Sequence, residues 1–374
     1  MNVLANVPAL LALIVFPARA LPQSASGVKP AALDELLETL REKHDLPALA
    51  GAIVEKGELV ALGAVGERAR GSGVQVAVDD LWHLGSCTKA MTATVAGRLV
   101  ERGKLDWDLS LAAGLKEWKP ELHEGWNGAT LELLLGNRGG APASPPAALW
   151  EALWARGGES VDARRWFAEQ LIAQPPQVSP GSVYIYSNQG FVLAGAMLEA
   201  TSGSAWEELM RRELFEPLGM KSAGFGAPGS AKQLDQPRGH APAPVEPGPR
   251  ADNPPAIGPA GTVHASLADW AKFAAEHVRG ARGESKYLKA DTWKRLHTAL
   301  AGQDYALGWI TVERSWGQGP VLTHSGSNSM WYCTVWLAPR IDSAFLVATN
   351  TGDVSAAVAC DAAVAALVRS RGAR

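Results

Sequence analysis

The chain has 374 residues, enough for one large domain with an ample hydrophobic core. It is 47% hydrophobic and 20% charged, which is typical of a globular protein, and its formal net charge is -3 at pH 7. This charge argues against a nucleic-acid-binding protein and against one attracted to an anionic membrane surface. We therefore expect a small-molecule or peptide substrate and no nucleic-acid partner; the oligomeric state stays open.

The first 20 residues have the pattern of a secretory signal peptide. An apolar stretch from Val7 to Phe16 is too short to span a bilayer, and Ala18-Arg19-Ala20 supplies a small-x-small cleavage pattern. The residues before the apolar stretch contain no lysine or arginine, which is unusual for such a peptide. We predict an exported protein, periplasmic or secreted, whose mature chain begins near Leu21. No later stretch approaches 18 apolar residues, so no stable membrane span is expected after processing.

The remaining residues, 21–374, are predicted to form a single α+β (mixed α/β) domain. Alternating and short apolar runs predict strands at Ala48–Val54, Leu59–Val65, Ala306–Val312, Val321–His324, Trp331–Leu337 and Ala344–Asn350. Helical spacing predicts helices at Ala31–His44, Ser86–Gly103, Ala147–Arg156, Val161–Ala173, Gln189–Thr201, Ser204–Leu214 and Val354–Arg369. We expect one antiparallel sheet formed by both termini and flanked by helices, with a helical region at about 104–265 inserted between its two parts.

One long segment does not follow either pattern. Residues 228–259 hold 9 of the 24 prolines, so they cannot form regular structure. A loop of this length in a compact domain usually serves a function, and the wall of a cleft is one example.

The tetrapeptide Ser86-Cys87-Thr88-Lys89 opens the second predicted helix. Residues three apart share a helix face, so the Ser86 hydroxyl and the Lys89 amine should be neighbours. A serine hydroxyl is a weak nucleophile until a base takes its proton, and the start of a helix favours the resulting alkoxide. S-x-x-K is the nucleophile motif of penicillin-recognising enzymes. Taken alone, the tetrapeptide is a weak signal, and an ordinary helix N-cap at Ser86 is the preferred interpretation.

The second motif is Tyr186-Ser187-Asn188, between an extended segment and the helix predicted from Gln189. A tyrosine acts as a base only if nearby cations lower its pKa, and we expect Lys89 to do so. Asn188 offers both a donor and an acceptor for a substrate amide. The alternative is that Asn188 merely caps the helix that follows.

The third motif is His324-Ser325-Gly326, at the end of an apolar strand and followed by Ser327. A strand edge with a glycine lets a substrate backbone approach closely. The backbone N–H of Ser327 would form one half of an oxyanion hole, and that of Ser86 the other. Viewed alone, a single histidine is more often a structural residue.

In this order and spacing, the three motifs resemble those of the serine β-lactamase-like superfamily. The most similar branch contains the class C β-lactamases, D-alanyl-D-alanine carboxypeptidases, D-aminopeptidases and related esterases. The resemblance covers roughly residues 30–365. It includes the further segments Leu105–Ser110, Tyr186–Gly195, Leu214–Met220, Pro259–Thr262 and Leu307–Trp309.

The resemblance implies a serine hydrolase that cleaves an ester or amide of a small substrate through an acyl-enzyme, with no metal and no cofactor. It implies that Ser86 is the nucleophile and that Lys89 and Tyr186 share the proton transfers. The residues implied to hold the substrate are Asn188, His324, Ser325, Gly326 and Ser327. The substrate class stays open between an ester, a D-amino peptide and an amide.

Two departures from the family pattern are visible. Gly136-Asn-Arg-Gly-Gly140 stands where relatives often have His-Thr-Ser-Gly, a segment whose role is usually structural. His324 stands where β-lactamases carry lysine, so we expect only weak β-lactam turnover. A cation such as Arg238 or Arg250 from the long loop would restore the missing charge.

Other functional classes are less well supported. The chain has no G-x-S-x-G motif, and its 8 histidines form no H-E-x-x-H pattern, which argues against an α/β-hydrolase and a zinc enzyme. The main alternative is a binding or sensor protein that is acylated without rapid turnover. The cysteines Cys87, Cys333 and Cys360 do not suggest a disulfide framework, and we expect Cys87 to be a buried, inert thiol.

Overall fold

The computed structural model describes residues 30–156 and 159–372, so the predicted signal peptide at 1–20 lies outside the described residues. Their strands form two sheets. The strands are β1 (Ala48–Glu55), β2 (Glu58–Gly66), β3 (Leu81–His83), β4 (Gly224–Phe225), β5 (Val263–Ser266), β6 (Ile310–Arg314), β7 (Gly319–Ser327), β8 (Tyr332–Ala338) and β9 (Ser343–Thr349).

Most of the described helices lie between β2 and β6. The helices are α1 (Pro30–Lys43), α2 (Thr88–Glu101), α3 (Leu111–Gly114), α4 (Leu131–Leu135), α5 (Ala147–Ala155), α6 (Ser160–Ile172), α7 (Asn188–Ser202), α8 (Trp206–Met210), α9 (Glu216–Leu218), α10 (Gly258–Gly261), α11 (Leu267–Ala281), α12 (Ala290–His297) and α13 (Val354–Gly372). A π-helical segment, Arg211–Phe215, joins α8 to α9. Within the described ranges, no helix combines the length and the apolar character that a membrane crossing needs.

The larger sheet confirms the prediction that the amino-terminal and carboxyl-terminal parts of the chain contribute strands to the same sheet. Its strand order is β2-β1-β9-β8-β7-β6, and every neighbouring pair is antiparallel. Strand β1 from the amino-terminal part therefore lies beside β9 from the carboxyl-terminal part, with Leu49 opposite Thr349. The expected α+β fold with an antiparallel sheet is confirmed.

The central strands β1 and β9 are buried on both faces of the sheet, and their alternate residues point to opposite sides. Along β9, Phe345 and Val347 belong to a core cluster shared with Leu37 of α1 and Leu367 of α13. The intervening Leu346 belongs to the much larger core formed with the helices on the other face. The segment that contains Ser86 lies on this second side, where residues 85–87 pack against β7 and β8.

Several element boundaries differ from the sequence predictions. Strand β6 begins at Ile310 rather than at Ala306, because the Ala306 N–H donates to the carbonyl of Trp309 at 2.7 Å and closes a turn. The helix predicted to begin at Ser86 starts with a 3₁₀ turn, Gly85–Cys87, hereafter the nucleophile turn. The sequence analysis also missed the elements β3, β4, β5, α11 and α12, which lie outside the predicted segments.

The proline-rich segment 228–259 is largely irregular, as predicted. The expectation that it contains no regular structure is nevertheless wrong in detail. It contains two 3₁₀ turns, Pro249–Ala251 and Pro255–Ile257, and the first residues of α10. Each turn has proline in its first positions, where the missing N–H has no helical partner to lose.

Candidate active site

Lys89 lies in the first turn of α2 and is completely buried. Its Nζ donates hydrogen bonds to Oγ of Ser86 at 3.0 Å, to Oδ1 of Asn188 at 2.7 Å and to the carbonyl oxygen of Ala260 at 2.8 Å. All three acceptors are uncharged groups. The structure therefore brings Ser86, Lys89 and Asn188 together as the sequence analysis expected.

Burial of the Lys89 amine lowers its pKa from 10.5 to about 7. The cause is the loss of hydration of the ammonium form, which no carboxylate in these three hydrogen bonds offsets. At neutral pH about half of the Lys89 side chains are therefore free amines. A free amine 3.0 Å from Oγ of Ser86 is able to accept the proton of that hydroxyl.

Tyr186 lies beside this amine, with Nζ of Lys89 4.8 Å from its ring centroid. One side of the tyrosine is exposed, but burial around its hydroxyl raises the pKa of Tyr186 above its usual range. A hydrogen bond with Ser86 acts in the opposite direction without reversing the shift. The expectation that Lys89 lowers the pKa of Tyr186 is therefore wrong. Burial dominates, and the tyrosine is a proton donor at neutral pH.

Asn188 is the first residue of α7, but it is not the residue that caps this helix. Ser187 occupies the N-cap position, where its Oγ accepts a hydrogen bond from the Gly190 N–H at 3.1 Å. The side chain of Asn188 is therefore free to bind Lys89. The alternative interpretation of Asn188 as a helix cap is wrong.

Asn137, which the sequence analysis did not single out, holds Tyr186 from both sides. Its carbonyl oxygen accepts from the Ile185 N–H at 2.8 Å, and its Oδ1 accepts from the Ser187 N–H at 3.0 Å. Asn137 has a φ of 57°, a left-handed conformation that asparagine tolerates better than most residues. The departure from the family pattern at 136–140 was the feature of the sequence that could have identified Asn137. The segment has the structural role that was expected of it.

His324 is 4% exposed, and both of its ring nitrogens face other groups of the protein. Nδ1 lies 2.6 Å from the carbonyl oxygen of Ser325, and Nε2 lies 3.1 Å from the hydroxyl of Tyr305. A carbonyl only accepts, so Nδ1 carries the proton and Nε2 accepts from Tyr305. Burial, helped by the nearby charge of Lys89, lowers the pKa of His324 to about 3. His324 is therefore a neutral residue that presents no cation to a substrate.

Neither loop arginine replaces the missing charge in this arrangement. Arg238 forms an ion pair with Glu246 at 3.2 Å, and the guanidinium of Arg250 lies 5.5 Å from the ring centroid of Trp154. The expectation that one of them compensates for His324 finds no support in these contacts.

The nucleophile turn presses directly against the end of β7. A methyl group added to Gly326 would overlap the carbonyl oxygen of Leu84 and lie 2.8 Å from the Ser86 nitrogen. A methyl group added to Gly85, which has a φ of 45°, would overlap the Ser327 nitrogen. Glycine at both positions allows the two backbones to touch. The Ser86 and Ser327 nitrogens both lie at this contact between the two backbones.

A cleft of about 460 Å³ opens beside Tyr186 and His324. Its lining residues are Tyr186, Ile310, Val312, Arg314, Thr323, His324, Ser325 and Trp336. Two of the three motifs therefore contribute to one cleft. The walls supplied by β6 and β8 are mainly apolar, which suits an uncharged hydrocarbon part of a substrate.

The three cysteines are free and buried, as predicted. Cys87, 2% exposed, directs its Sγ toward the carbonyl oxygen of His324 at 3.4 Å and lies 3.6 Å from Sγ of Cys333. It faces the core rather than the cleft. In the described ranges, no three His, Cys, Asp or Glu residues are grouped closely enough to hold a metal ion.

The antiparallel sheet from both termini, with helices inserted and a serine and lysine at their junction, defines the fold of penicillin-binding proteins and β-lactamases. The chain belongs to the Beta-lactamase family, whose model matches residues 33–369. Its relatives include esterases, which supports the broad assignment of this chain to the serine hydrolases.

Penicillin-binding protein 4 of Amycolatopsis lactamdurans is 26% identical over 333 residues, which cover 85% of this chain and 84% of that protein. Esterase EstB of Burkholderia gladioli is 29% identical over 196 residues, about half of each chain. The octameric penicillin-binding protein homologue from Pyrococcus abyssi has a TM-score of 0.71 at 21% identity and covers 91% of this chain and 77% of that chain. This structural likeness establishes the fold alone.

Proposed function

We propose that the protein is a serine hydrolase that cleaves small esters or amides through an acyl-enzyme on Ser86. The observation that carries the proposal is the 3.0 Å contact between Oγ of Ser86 and Nζ of a buried lysine whose pKa is about 7. A nearby base of this pKa converts a weak nucleophile into a reactive one at neutral pH.

In the acylation step, Lys89 takes the proton from Ser86 as Oγ forms a bond to the substrate carbonyl carbon. The negative charge that develops on the carbonyl oxygen is stabilised by the N–H groups of Ser86 and Ser327. The protonated Tyr186 hydroxyl donates its proton to the leaving group as the bond to that group breaks. The ammonium of Lys89 then returns a proton to Tyr186, so the acyl-enzyme forms with no net change in protons.

Deacylation reverses these roles with water as the nucleophile. The free amine of Lys89 takes a proton from the water as its oxygen attacks the ester of Ser86, and the Tyr186 hydroxyl donates its proton to Oγ as the bond to the acid product breaks. The ammonium of Lys89 then returns a proton to Tyr186, which restores both residues. Asn188 holds Lys89 through its Oδ1 and has its amide nitrogen to offer to a substrate carbonyl.

The substrate we propose is an ester or amide with an apolar portion and no required carboxylate. The cleft of about 460 Å³ accepts such a portion between Ile310, Val312 and Trp336. The neutral, enclosed His324 provides no cation for the carboxylate of a β-lactam. Export of the mature protein, with cleavage near Leu21, is part of the same proposal.

The decisive experiment is active-site labelling with a fluorophosphonate and turnover of a short-chain nitrophenyl ester. We expect one adduct per chain, located on Ser86, and loss of both labelling and turnover in Ser86→Ala. Cys87→Ala is the matched control, because it removes the neighbouring thiol and should keep the label. Labelling that persists in Ser86→Ala would contradict the proposal.

A sensor that is acylated without turnover is the second candidate. It shares the Ser86–Lys89 contact with the enzyme and differs in the rate of deacylation. Mass spectrometry of the protein after a pulse of ester or β-lactam separates the two. The hydrolase sheds its adduct within the assay, whereas a sensor retains it.

A further inference from the structure

A buried histidine and a buried aspartate lie behind the nucleophile turn. His83, the last residue of β3, accepts a hydrogen bond at Nδ1 from the Gly85 N–H at 3.1 Å. Its Nε2 lies 2.6 Å from Oδ1 of Asp252, which belongs to the 228–259 loop. The two side chains are 0% and 6% exposed, so neither is placed to touch a substrate.

The contact with Gly85 determines which ring nitrogen of His83 carries the proton. A backbone N–H only donates, so Nδ1 must present its lone pair, and the neutral imidazole then has its proton on Nε2. The carboxylate of Asp252 lies 2.6 Å from Nε2 without the alignment of a hydrogen bond, and its negative charge favours a proton on that nitrogen. In the opposite tautomer, the Nδ1–H of His83 would point at the N–H of Gly85. This arrangement would cost the free energy typical of a buried donor without a partner.

The same oxygen of Asp252 also reaches the other side of the site. Oδ1 accepts a hydrogen bond from Nδ2 of Asn328 at 3.2 Å and one from the Asn253 N–H at 2.6 Å. Asn328 follows Ser327 directly, at the end of β7. One carboxylate oxygen therefore contacts the histidine that bonds to the residue before Ser86, and it accepts a hydrogen bond from the residue after Ser327.

We propose that His83 and Asp252 are positioning residues that hold the Ser86 and Ser327 N–H groups at the separation an oxyanion needs. The inference rests on the proposed function, since those two N–H groups are its oxyanion donors. It also assigns a role to the 228–259 loop, which supplies Asp252 from outside the helices and strands of the core.

An oxyanion hole stabilises charge that develops only in the transition state. Misplacing its donors should therefore lower kcat and leave KM nearly unchanged. A purely structural role would instead lower thermal stability without this division between kcat and KM. The two constants thus distinguish positioning from general support of the fold.

The first experiment is Asp252→Asn, measured on a short-chain nitrophenyl ester. The new amide is able to donate to Nε2 and so favours the opposite tautomer of His83. We expect kcat to fall at least about tenfold with KM within about twofold of the original protein. His240→Asn is the matched control. His240 is a buried histidine of the same 228–259 loop, and its ring nitrogens contact the carbonyl oxygen of Asn350 at 2.7 Å and the Arg70 N–H at 3.1 Å.

The second experiment compares His83→Asn with His83→Gln. The Oδ1 of an asparagine takes the position of Nδ1 and keeps an acceptor for Gly85, whereas the longer glutamine reaches Asp252 and loses that acceptor. We expect His83→Asn to retain at least about fivefold more kcat than His83→Gln. Equal loss in the two variants would overturn the role assigned to the Gly85 contact.

Phenylboronic acid, which forms a tetrahedral adduct with a reactive serine, reports on the same geometry without turnover. Its inhibition constant should rise in Asp252→Asn by the factor that kcat/KM falls. Asn328→Ala, on the exposed side of the network, provides a further test if Asp252→Asn does not fold; it should lower kcat about threefold.

Unchanged kcat in Asp252→Asn, a loss confined to KM, or an equal loss in His240→Asn would overturn the inference. If Ser86→Ala is inactive and Asp252→Asn is fully active, the positioning role of Asp252 is refuted and the proposed function remains intact. Full activity in Ser86→Ala would instead refute the proposed function itself.

Discussion

Nζ of Lys89 lies 2.7 Å from Oδ1 of Asn188, although the two residues are 99 positions apart in the chain. The contact joins the first turn of α2 to the first turn of α7 and leaves the lysine buried with neutral partners only. Because no carboxylate bonds to the amine, burial is free to depress its pKa. At neutral pH a substantial fraction of the Lys89 side chains is therefore the free amine that the proposed mechanism requires.

The pH profile of the ester hydrolysis should report this lysine. The pKa of Lys89 is lowered from 10.5 to about 7, so the free amine forms as the pH rises through 7 rather than through 10. We expect kcat/KM to increase about 30-fold between pH 5.5 and 8.5, with an inflection near pH 7. Lys89→Arg, which stays charged, should be nearly inactive throughout. A flat profile, or an inflection near pH 10, would contradict the assignment.

Lys89 and Tyr186 should act as one proton-handling unit, because they exchange a proton within a single step. Lys89→Ala and Tyr186→Phe should each lower kcat on the order of 10³-fold, and the double variant should lose little more than either one. Steady-state kinetics of the three variants test the prediction. Losses that multiply in the double variant would show that the two residues act separately, and full activity in Tyr186→Phe would remove Tyr186 from the mechanism.

Gly326→Ala should disable the site without altering any side chain that handles protons. The added methyl group would overlap the carbonyl oxygen of Leu84 and press on the Ser86 nitrogen, 2.8 Å away. We expect a loss of about 1–3 kcal/mol in the free energy of unfolding and a fall in kcat of at least tenfold.

The control is Gly248→Ala, where φ is 169° and the nearest atom to an added methyl group is 4.0 Å away. Urea denaturation and ester turnover of both variants are the measurements. Equal behaviour of the two variants would show that the contact between the nucleophile turn and β7 is unimportant.

His324 should affect substrate choice through its missing charge and not through titration. Its pKa of about 3 keeps it neutral at pH 6 and at pH 8, so the ratio of cephalosporin to ester kcat/KM should be the same at both values. His324→Lys should raise that ratio about tenfold, the usual effect of a charged hydrogen bond to a carboxylate. His324→Gln is the neutral control and should leave the ratio unchanged.

Two outcomes would contradict this view of His324. One is a wild-type protein that prefers the cephalosporin to the ester by decades at pH 8. The other is a preference that changes between pH 6 and pH 8 in the wild type but not in His324→Gln, which would mean that His324 titrates in this range.

The mature protein should begin near Leu21. The prediction rests on the apolar stretch from Val7 to Phe16 and the small residues around Arg19 that follow it. Amino-terminal sequencing of native protein from periplasmic, secreted and cytosolic fractions is the test. An intact Met1 in the cytosolic fraction would refute the prediction.

Local patterns in the sequence were sufficient for the main elements and for the contact between Ser86 and Lys89. The three-residue spacing of Ser86 and Lys89 predicts their contact because a helical turn has a constant geometry. The alternating runs at both ends predict a shared sheet, and β1 does pair with β9. The strands β3 and β4 were missed because runs of three and two residues are too short to show a period.

Only the tertiary structure decided the electrostatics of the site and the residues that support it. Burial raises the pKa of Tyr186, which is opposite to the effect expected of the neighbouring Lys89. Burial also lowers the pKa of His324 to about 3, far below the ordinary value of a histidine. The burial of both side chains depends on contacts with residues that are distant in sequence. Asn137 and Asp252 reach the site through backbone N–H groups and a buried histidine. Such contacts have no period along the chain, so no local pattern identifies them before the chain has folded.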